Sequence, residues 1–141
     1  MYSLVYVSRS LLPAGQAAAE IESIVNVSTA RNAAAGVTGA LLYTGTRFAQ
    51  LLEGEEATVL DIMASIARDA RHRDVVTIDQ GPVVARRFSK WSLVYVGHST
   101  FAAGIVERAL AESGEPDGYA LRNLIRLLQE LARPLAPPPE E

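Results

Sequence analysis

A chain of 141 residues, 49% of them hydrophobic, is long enough to bury one core of its own, and its formal net charge of −3 carries no basic footprint for nucleic acid and disfavours docking on an anionic membrane. The absence of cysteine excludes disulfides, thiolate catalysis and cysteine-based zinc or iron–sulfur centres, and fits a cytoplasmic protein. No apolar run approaches the roughly 18 residues of a membrane span, and Met1-Tyr2-Ser3 opens with neither the basic flank nor the small-residue cleavage pattern of a signal peptide.

Tyr2 to Ser8 is rich in β-formers and reads as a strand, with Tyr2, Leu4 and Tyr6 on one face and Val5 and Val7 on the other. Pro13 and Gly15 mark a loop. From Gln16 to Asn32 the chain reads as a helix that opens on Ala17-Ala18-Ala19 and ends before Gly36. Ile21, Ile24, Val25 and Ser28 form one face of it, and Asn32 falls on that face. Val37 to Tyr43 and Arg47 to Glu53 form a hairpin about Thr44-Gly45-Thr46, with Phe48, Gln50 and Leu52 sharing a face. A second helix starts at Glu55-Glu56, whose charges suit its N-terminus. Its stripe is Val59, Met63, Ile66, Ala67 and Ala70, and it should end near Asp69 to His72. Two further strands are expected over 74–84 and 91–96, then helices over 101–113 and 118–132. Leu121, Leu124, Ile125, Leu128 and Leu131 give the last helix its apolar stripe. Pro134 to Glu141 is expected to be a disordered, Pro-rich and acidic tail.

The order β-α-β-β-α-β resembles the ferredoxin-like unit with one strand added, an α+β fold on a mixed sheet. Because the first strand is apolar on both faces, its sheet needs cover on both sides. The first two helices are expected on one face and the C-terminal pair on the other. This divides the chain into a core over 1–97, a two-helix extension over 98–133 and the tail over 134–141.

Three inward positions are polar or amphipathic: Tyr6, Asn32 and Gln50. Burying an amide without partners costs about 1–3 kcal/mol, so two such amides need backbone, water, each other or a ligand. In the plainest reading Asn32 caps its helix, Gln50 bonds a backbone group and Tyr6 is an ordinary core tyrosine. Arg71 and His72 read either as a solvated helix end or as contacts to an anionic or carbonyl-rich ligand. Trp91, the sole tryptophan, reads as packing or as a shield over a ring-shaped ligand. His98 stands alone, and two histidines without cysteine make no first-row metal site. Gly36-Val37-Thr38-Gly39 lacks the lysine and spacing of a phosphate loop, and no Gly-x-Ser-x-Gly elbow occurs. Glu53, Glu55 and Glu56 read as a solvated helix start rather than an acid–base pair.

Taken in order, Leu4-Val5-Tyr6-Val7-Ser8, Arg31-Asn32, Gly36 to Tyr43, Phe48-Ala49-Gln50-Leu51-Leu52-Glu53-Gly54, Ile66, Asp69, Arg71-His72, Arg86-Arg87-Phe88 and Trp91-Ser92 resemble the BLUF family, sensors of blue light using FAD. The resemblance covers residues 2 to 96. It implies a non-enzymatic photoreceptor with FAD between the first two helices. Tyr6 is then the light-step electron and proton donor, Gln50 the bridge from Tyr6 to the flavin, and Asn32 a partner of the flavin's carbonyl and ring-nitrogen edge. Arg71 and His72 lie near the other edge or the ribityl chain, Arg31 borders the site and Phe48 packs near the ring. Trp91 and Leu93 relay the signal toward the C-terminal helices. Many members carry methionine where this chain has Leu93, which bears on output and state lifetime more than on flavin binding.

The residues after 96 suffice for two helices and a tail, so output is expected to pass to a separate protein partner or through a homo-oligomer. Two other readings compete. One is an oligomeric interaction module of the same fold that does not respond to light. The other is a small flavin oxidoreductase, against which stands the lack of any substrate or nicotinamide pattern.

Overall fold

A computed structural model describes residues 1–13, 15–113, 115 and 118–133, so the expected tail over 134–141 lies outside the described residues. Nine elements follow in the order β1 (Tyr2–Ser10), α1 (Ala17–Ala35), β2 (Thr38–Tyr43), β3 (Arg47–Gly54), α2 (Glu56–Ala67), β4 (His72–Pro82), β5 (Trp91–Val96), α3 (Thr100–Ala111) and α4 (Tyr119–Ala132). The strands form one mixed sheet in the order β4-β1-β3-β2-β5, antiparallel throughout except that β5 runs parallel to β2.

Strand alternation sorts the chain into two cores. Leu4, Tyr6, Leu41, Phe48, Leu52 and Trp91 pack with Ile21 of α1 and with Val59, Ile62 and Met63 of α2. Val5, Val7, Ala40, Leu42, Ala49 and Leu51 pack on the other face with Val106 and Ala109 of α3 and Leu124 and Leu128 of α4. The α+β ferredoxin-like arrangement and the two-sided helix cover therefore stand as expected. The cause lies in the central strands: both faces of β1, β2 and β3 are apolar, and each face removed from water contributes about 25 cal/mol per Å².

Helix α1 runs three residues past Asn32 and ends before Gly36 as expected, where that glycine takes a left-handed conformation (φ 71°). There the Gly36 N–H bonds the carbonyl of Ala33 and the Val37 N–H that of Asn32 at 2.9 Å. Helix α2 ends sooner than expected. Arg68 closes it, and the Asp69 carboxylate then accepts the Arg71 N–H at 2.9 Å, turning the chain into β4 two residues ahead of the expected start. Ser10 of the long first strand pairs with His72, which draws that residue into the sheet. Ala67 and Ala70, expected in the stripe of α2, are exposed, and Ile62 is buried instead. Leu131 of α4 is likewise largely exposed while Ala120 is buried. Among the described residues no helix is long and apolar enough to cross a membrane, and no cluster of three metal-ligating side chains occurs.

Candidate cofactor site

A cleft opens between α1 and α2 above the middle of the sheet, about 590 Å³ including its solvent-filled mouth. Tyr6, Leu41, Phe48 and Gln50 make its floor; Ile24, Ser28 and Arg31 of α1 face Ile66 of α2 across it. Asp69, Arg71 and His72 close one end. Tyr6 and Gln50 lie directly opposite each other in the β1–β3 ladder, so their side chains leave the same face of the sheet side by side.

The orientation of the Gln50 amide follows from its neighbours. The indole N–H of Trp91 can only donate, so the atom of Gln50 that faces it at 2.8 Å is the carbonyl oxygen. The amide nitrogen is thereby turned toward Tyr6, and Gln50 Nε2 donates to the Tyr6 hydroxyl at 2.7 Å. All three side chains are buried. Trp91 is thus neither simple packing nor only a shield: it fixes the rotamer sense of the amide. Burial raises the Tyr6 phenol well above the ordinary tyrosine range, against a smaller opposing pull from the Gln50 bond, so its proton is held more firmly than that of an exposed tyrosine.

His72 is no solvated helix end. It is buried, its Nε2 lies 2.6 Å from the carbonyl of Ile66 and its Nδ1 2.7 Å from Ser8 Oγ. A carbonyl can only accept, so Nε2 carries a proton, and Nδ1 shares the second bond with the Ser8 hydroxyl. The imidazole thereby clasps the C-terminal turn of α2 to β1. Its ring meets Tyr6 and Phe48 edge-on, with centroids 6.1 and 6.0 Å apart. Ser8 escaped the sequence reading, although it continues the Leu4–Tyr6 alternation as a polar residue on an inward face.

Arg71 is engaged by two carboxylates, Asp69 at 2.6 Å and Glu20 of α1 at 3.7 Å, so it ties the mouth of the cleft across both helices. The Arg71 bonds hold the Asp69 carboxyl below the usual carboxylate range despite partial burial. Such a group adds stability that is complete above the unfolded value of about 3.9 and is lost as pH falls through the lower folded one. Asp69→Asn should therefore be less stable than the parent at pH 7, by about 1 kcal/mol or less because both partners are a third exposed, and the gap should close in strong acid. Urea midpoints at pH 7 and pH 3 measure it; an equal gap at both rules the ion pair out as its source.

Asn32 is fully buried on α1 and, unlike its neighbours Ser28 and Arg31, is not among the residues lining the cleft. Its Oδ1 accepts from Arg31 Nε at 3.2 Å, but its Nδ2 has no partner. An orphaned amide costs about 1–3 kcal/mol, a cost a carbonyl-bearing ligand removes. Partial burial lowers the Arg31 guanidinium from its usual range. Aromatic and aliphatic walls, a donor short of an acceptor and an amide on the floor fit the edge of a flavin ring. Leu93, half-buried opposite Leu41 in the β2–β5 ladder, packs with the same core as Trp91.

A family model described as sensors of blue-light using FAD matches residues 1–94. The chain belongs to the BLUF family. Over 92 residues it is 34% identical to the photoactivated adenylate cyclase subunit beta of Euglena longa, a match that spans 64% of this chain and a tenth of that relative's length. The solved dark-state structure of the BLUF protein BlrB is 31% identical, covers 92% of this chain and 95% of its own, and superposes with a TM-score of 0.74. The structure of Klebsiella pneumoniae BlrP1 with FMN and cyclic diGMP is 27% identical, covers 90% of this chain and 34% of its own, and has a TM-score of 0.65. The matched region is thus the BLUF sensor module, here followed by two helices that pack back onto the sheet.

Proposed function

We propose that this chain is a blue-light photoreceptor that holds FAD in the cleft between α1 and α2 and reports excitation through Tyr6 and Gln50. One observation carries the reading: a buried amide whose orientation is dictated by Trp91 and which donates to a phenol on the floor of the cleft. When bound, the flavin supplies a ring that absorbs blue light and accepts an electron reversibly.

Tyr6 gives up an electron and its hydroxyl proton and takes both back, so no substrate is consumed. In the interval Gln50 changes its hydrogen bonds. Rotation of the amide by half a turn would set its NH₂ against the Trp91 N–H, two donors face to face, and so break that bond. A tautomer formed in place would keep an oxygen lone pair on Trp91. In both cases the freed Gln50 group would be available to bond the ring, and a bond stronger in the excited than in the ground state would move the absorption to the red. Asn32 and Arg31 border the ring, Phe48 and His72 wall it, and Arg71 stands near its side chain. The change leaves through Trp91 and Leu93 on β5, toward α3 and α4 and then to a separate protein or a second copy of the chain in the cytoplasm. A hydrogen-bond switch produces output only where an element has two arrangements that it favours differently.

The test is an absorption spectrum of the flavin-supplemented protein before and after blue light. A small red shift that reverts in the dark is expected; absent visible bands, or bands indifferent to illumination, overturn the reading. Mass spectrometry of the extracted pigment distinguishes FAD from the FMN named in the BlrP1 structure.

Leucine at 93 keeps the volume of methionine and loses its polarisable sulfur and one degree of flexibility. Leu93→Met should therefore alter both the dark-recovery rate and the light-induced change in amide protection of β5, while the dark spectrum stays put. Unchanged recovery and unchanged hydrogen exchange would remove position 93 from the relay.

A further inference from the structure

Glu53 is expected from sequence to be a solvated helix start. It is instead fully buried near the end of β3 and takes no part in the cleft. Its carboxylate collects main-chain donors from the segment that leads into β5: Oε1 accepts from the N–H of Phe88 at 2.7 Å and of Arg87 at 2.8 Å, and Oε2 from Arg87 at 3.1 Å. Thr38 of β2 donates to Oε1 at 3.1 Å. Arg86, next in line, donates to Thr38 Oγ1 at 2.7 Å, to the carbonyl of Glu53 at 3.2 Å and to that of Gly36 at 2.8 Å. The β4–β5 connection is thereby tied to the ends of α1, β2 and β3 at one place. Three residues after Phe88 comes Trp91.

Strand β5 is an edge strand held to the sheet only through β2, with its register slipping between Leu41 and Leu42. The first three pairs, Gly39–Trp91 to Leu41–Leu93, are in continuous register, but an edge strand bonded on one side alone can shift together with its neighbour's end. A buried carboxylate receiving charge-assisted main-chain bonds is a stronger constraint. We propose that Glu53 and Arg86 form a latch that sets the height of Trp91 against Gln50, so that Glu53 is a positioning residue for the light switch although it lies on the opposite face of the sheet. Leu51 and Glu53 face α3 and α4 while Gln50 and Leu52 face the cleft, so the latch grips β5 from the side on which the output helices lie. The proposal rests on the photoreceptor reading for its consequence, but not for its geometry.

The test is a double-mutant cycle with two readouts on the full chain. Trp91 is the only tryptophan, so acrylamide quenching of its fluorescence reports its seating directly, whether or not the protein responds to light. Glu53→Gln, which keeps the shape but replaces one acceptor oxygen by a donor, should at least double the quenching constant, and so should Arg86→Ala. In the photocycle Glu53→Gln should change the dark-recovery rate threefold or more in the parent and leave it unchanged in a Trp91→Phe background. Equal effects in both backgrounds, or an unchanged quenching constant, overturn the latch. A parent without any light response sinks the photoreceptor reading alone, because quenching still decides the latch. If Glu53→Gln does not fold, Arg86→Ala carries the same cycle, since its side chain lies at the surface end of the network.

Discussion

Gln50→Leu, loaded with flavin, should remain yellow and cease to respond to blue light. Leucine matches the apolar neighbours Leu41 and Leu52 in volume, so the cleft keeps its walls. What disappears is the amide that bonds both Tyr6 and Trp91. Two buried polar groups are left short of a partner, a cost of about 1–3 kcal/mol each. Set against a domain stability of about 5–15 kcal/mol, that lowers the melting temperature without preventing folding. Tyr6→Phe removes the donor itself at a smaller structural cost, because only one Gln50 proton loses its acceptor. Both variants should bind flavin and lose the red-shifted state entirely, in spectra recorded before and after illumination. A normal red shift in either one ends the role assigned to it. Because burial keeps the Tyr6 phenol protonated, the parent response should also persist at pH 10, where an ordinary tyrosine is about half ionised.

The division of the sheet into two cores was legible because β1 alternates Leu4 and Tyr6 against Val5 and Val7, and period-2 patterning is the strongest signal a strand carries. For the same reason Tyr6 and Gln50 could be set on inward faces. Their opposition across the β1–β3 ladder depends on the register of two strands separated in the chain by α1 and β2, which the pattern alone does not settle. For Trp91 the sequence leaves packing and shielding of a ring-shaped ligand both open, because nothing local says that an edge strand returns parallel to β2 and delivers an indole N–H to an amide on β3. Parallel pairing joins segments far apart in sequence. Glu53 was misread for a related reason. A carboxylate beside a helix start is solvated by default, and only the long connection from β4 supplies the main-chain donors that bury it. Arg71 is visible as a cation near the site with Asp69 close in sequence, but its second carboxylate, Glu20, requires α1 to lie alongside the end of α2. The missing pieces are thus of one kind: polar groups whose partners come from distant elements.

The largest structural penalty should fall on a residue with no side chain at all. Gly39 sits in β2 with φ at 150°, a backbone conformation open to glycine and strained for any L-residue. A methyl group built there would run into the carbonyl oxygen of Leu51 on β3, a main-chain atom locked in the sheet's ladder. The same residue faces Trp91 in the β2–β5 ladder, and its N–H bonds the carbonyl of Lys90 at 3.2 Å. The close approach therefore sets the spacing of β2 and β3 next to the residue that gives β5 its first ladder partner. Backbone strain of this kind costs about 1–3 kcal/mol by itself. Overlap with an immovable backbone atom brings the total toward the exceptional end of single substitutions, about 4–5 kcal/mol, a large part of what a domain has. Gly39→Ala should thus be insoluble, or melt roughly 10 °C or more below the parent. It should also take up less flavin, because Leu51 adjoins Gln50 and any shift of β3 displaces the floor of the cleft. Gly81→Ala is the control: that position on β4 has no heavy atom within 4 Å of an added carbon and should melt within a few degrees of the parent. Equal melting temperatures for the two variants would mean that β2 and β3 do not approach as closely as the strained glycine requires.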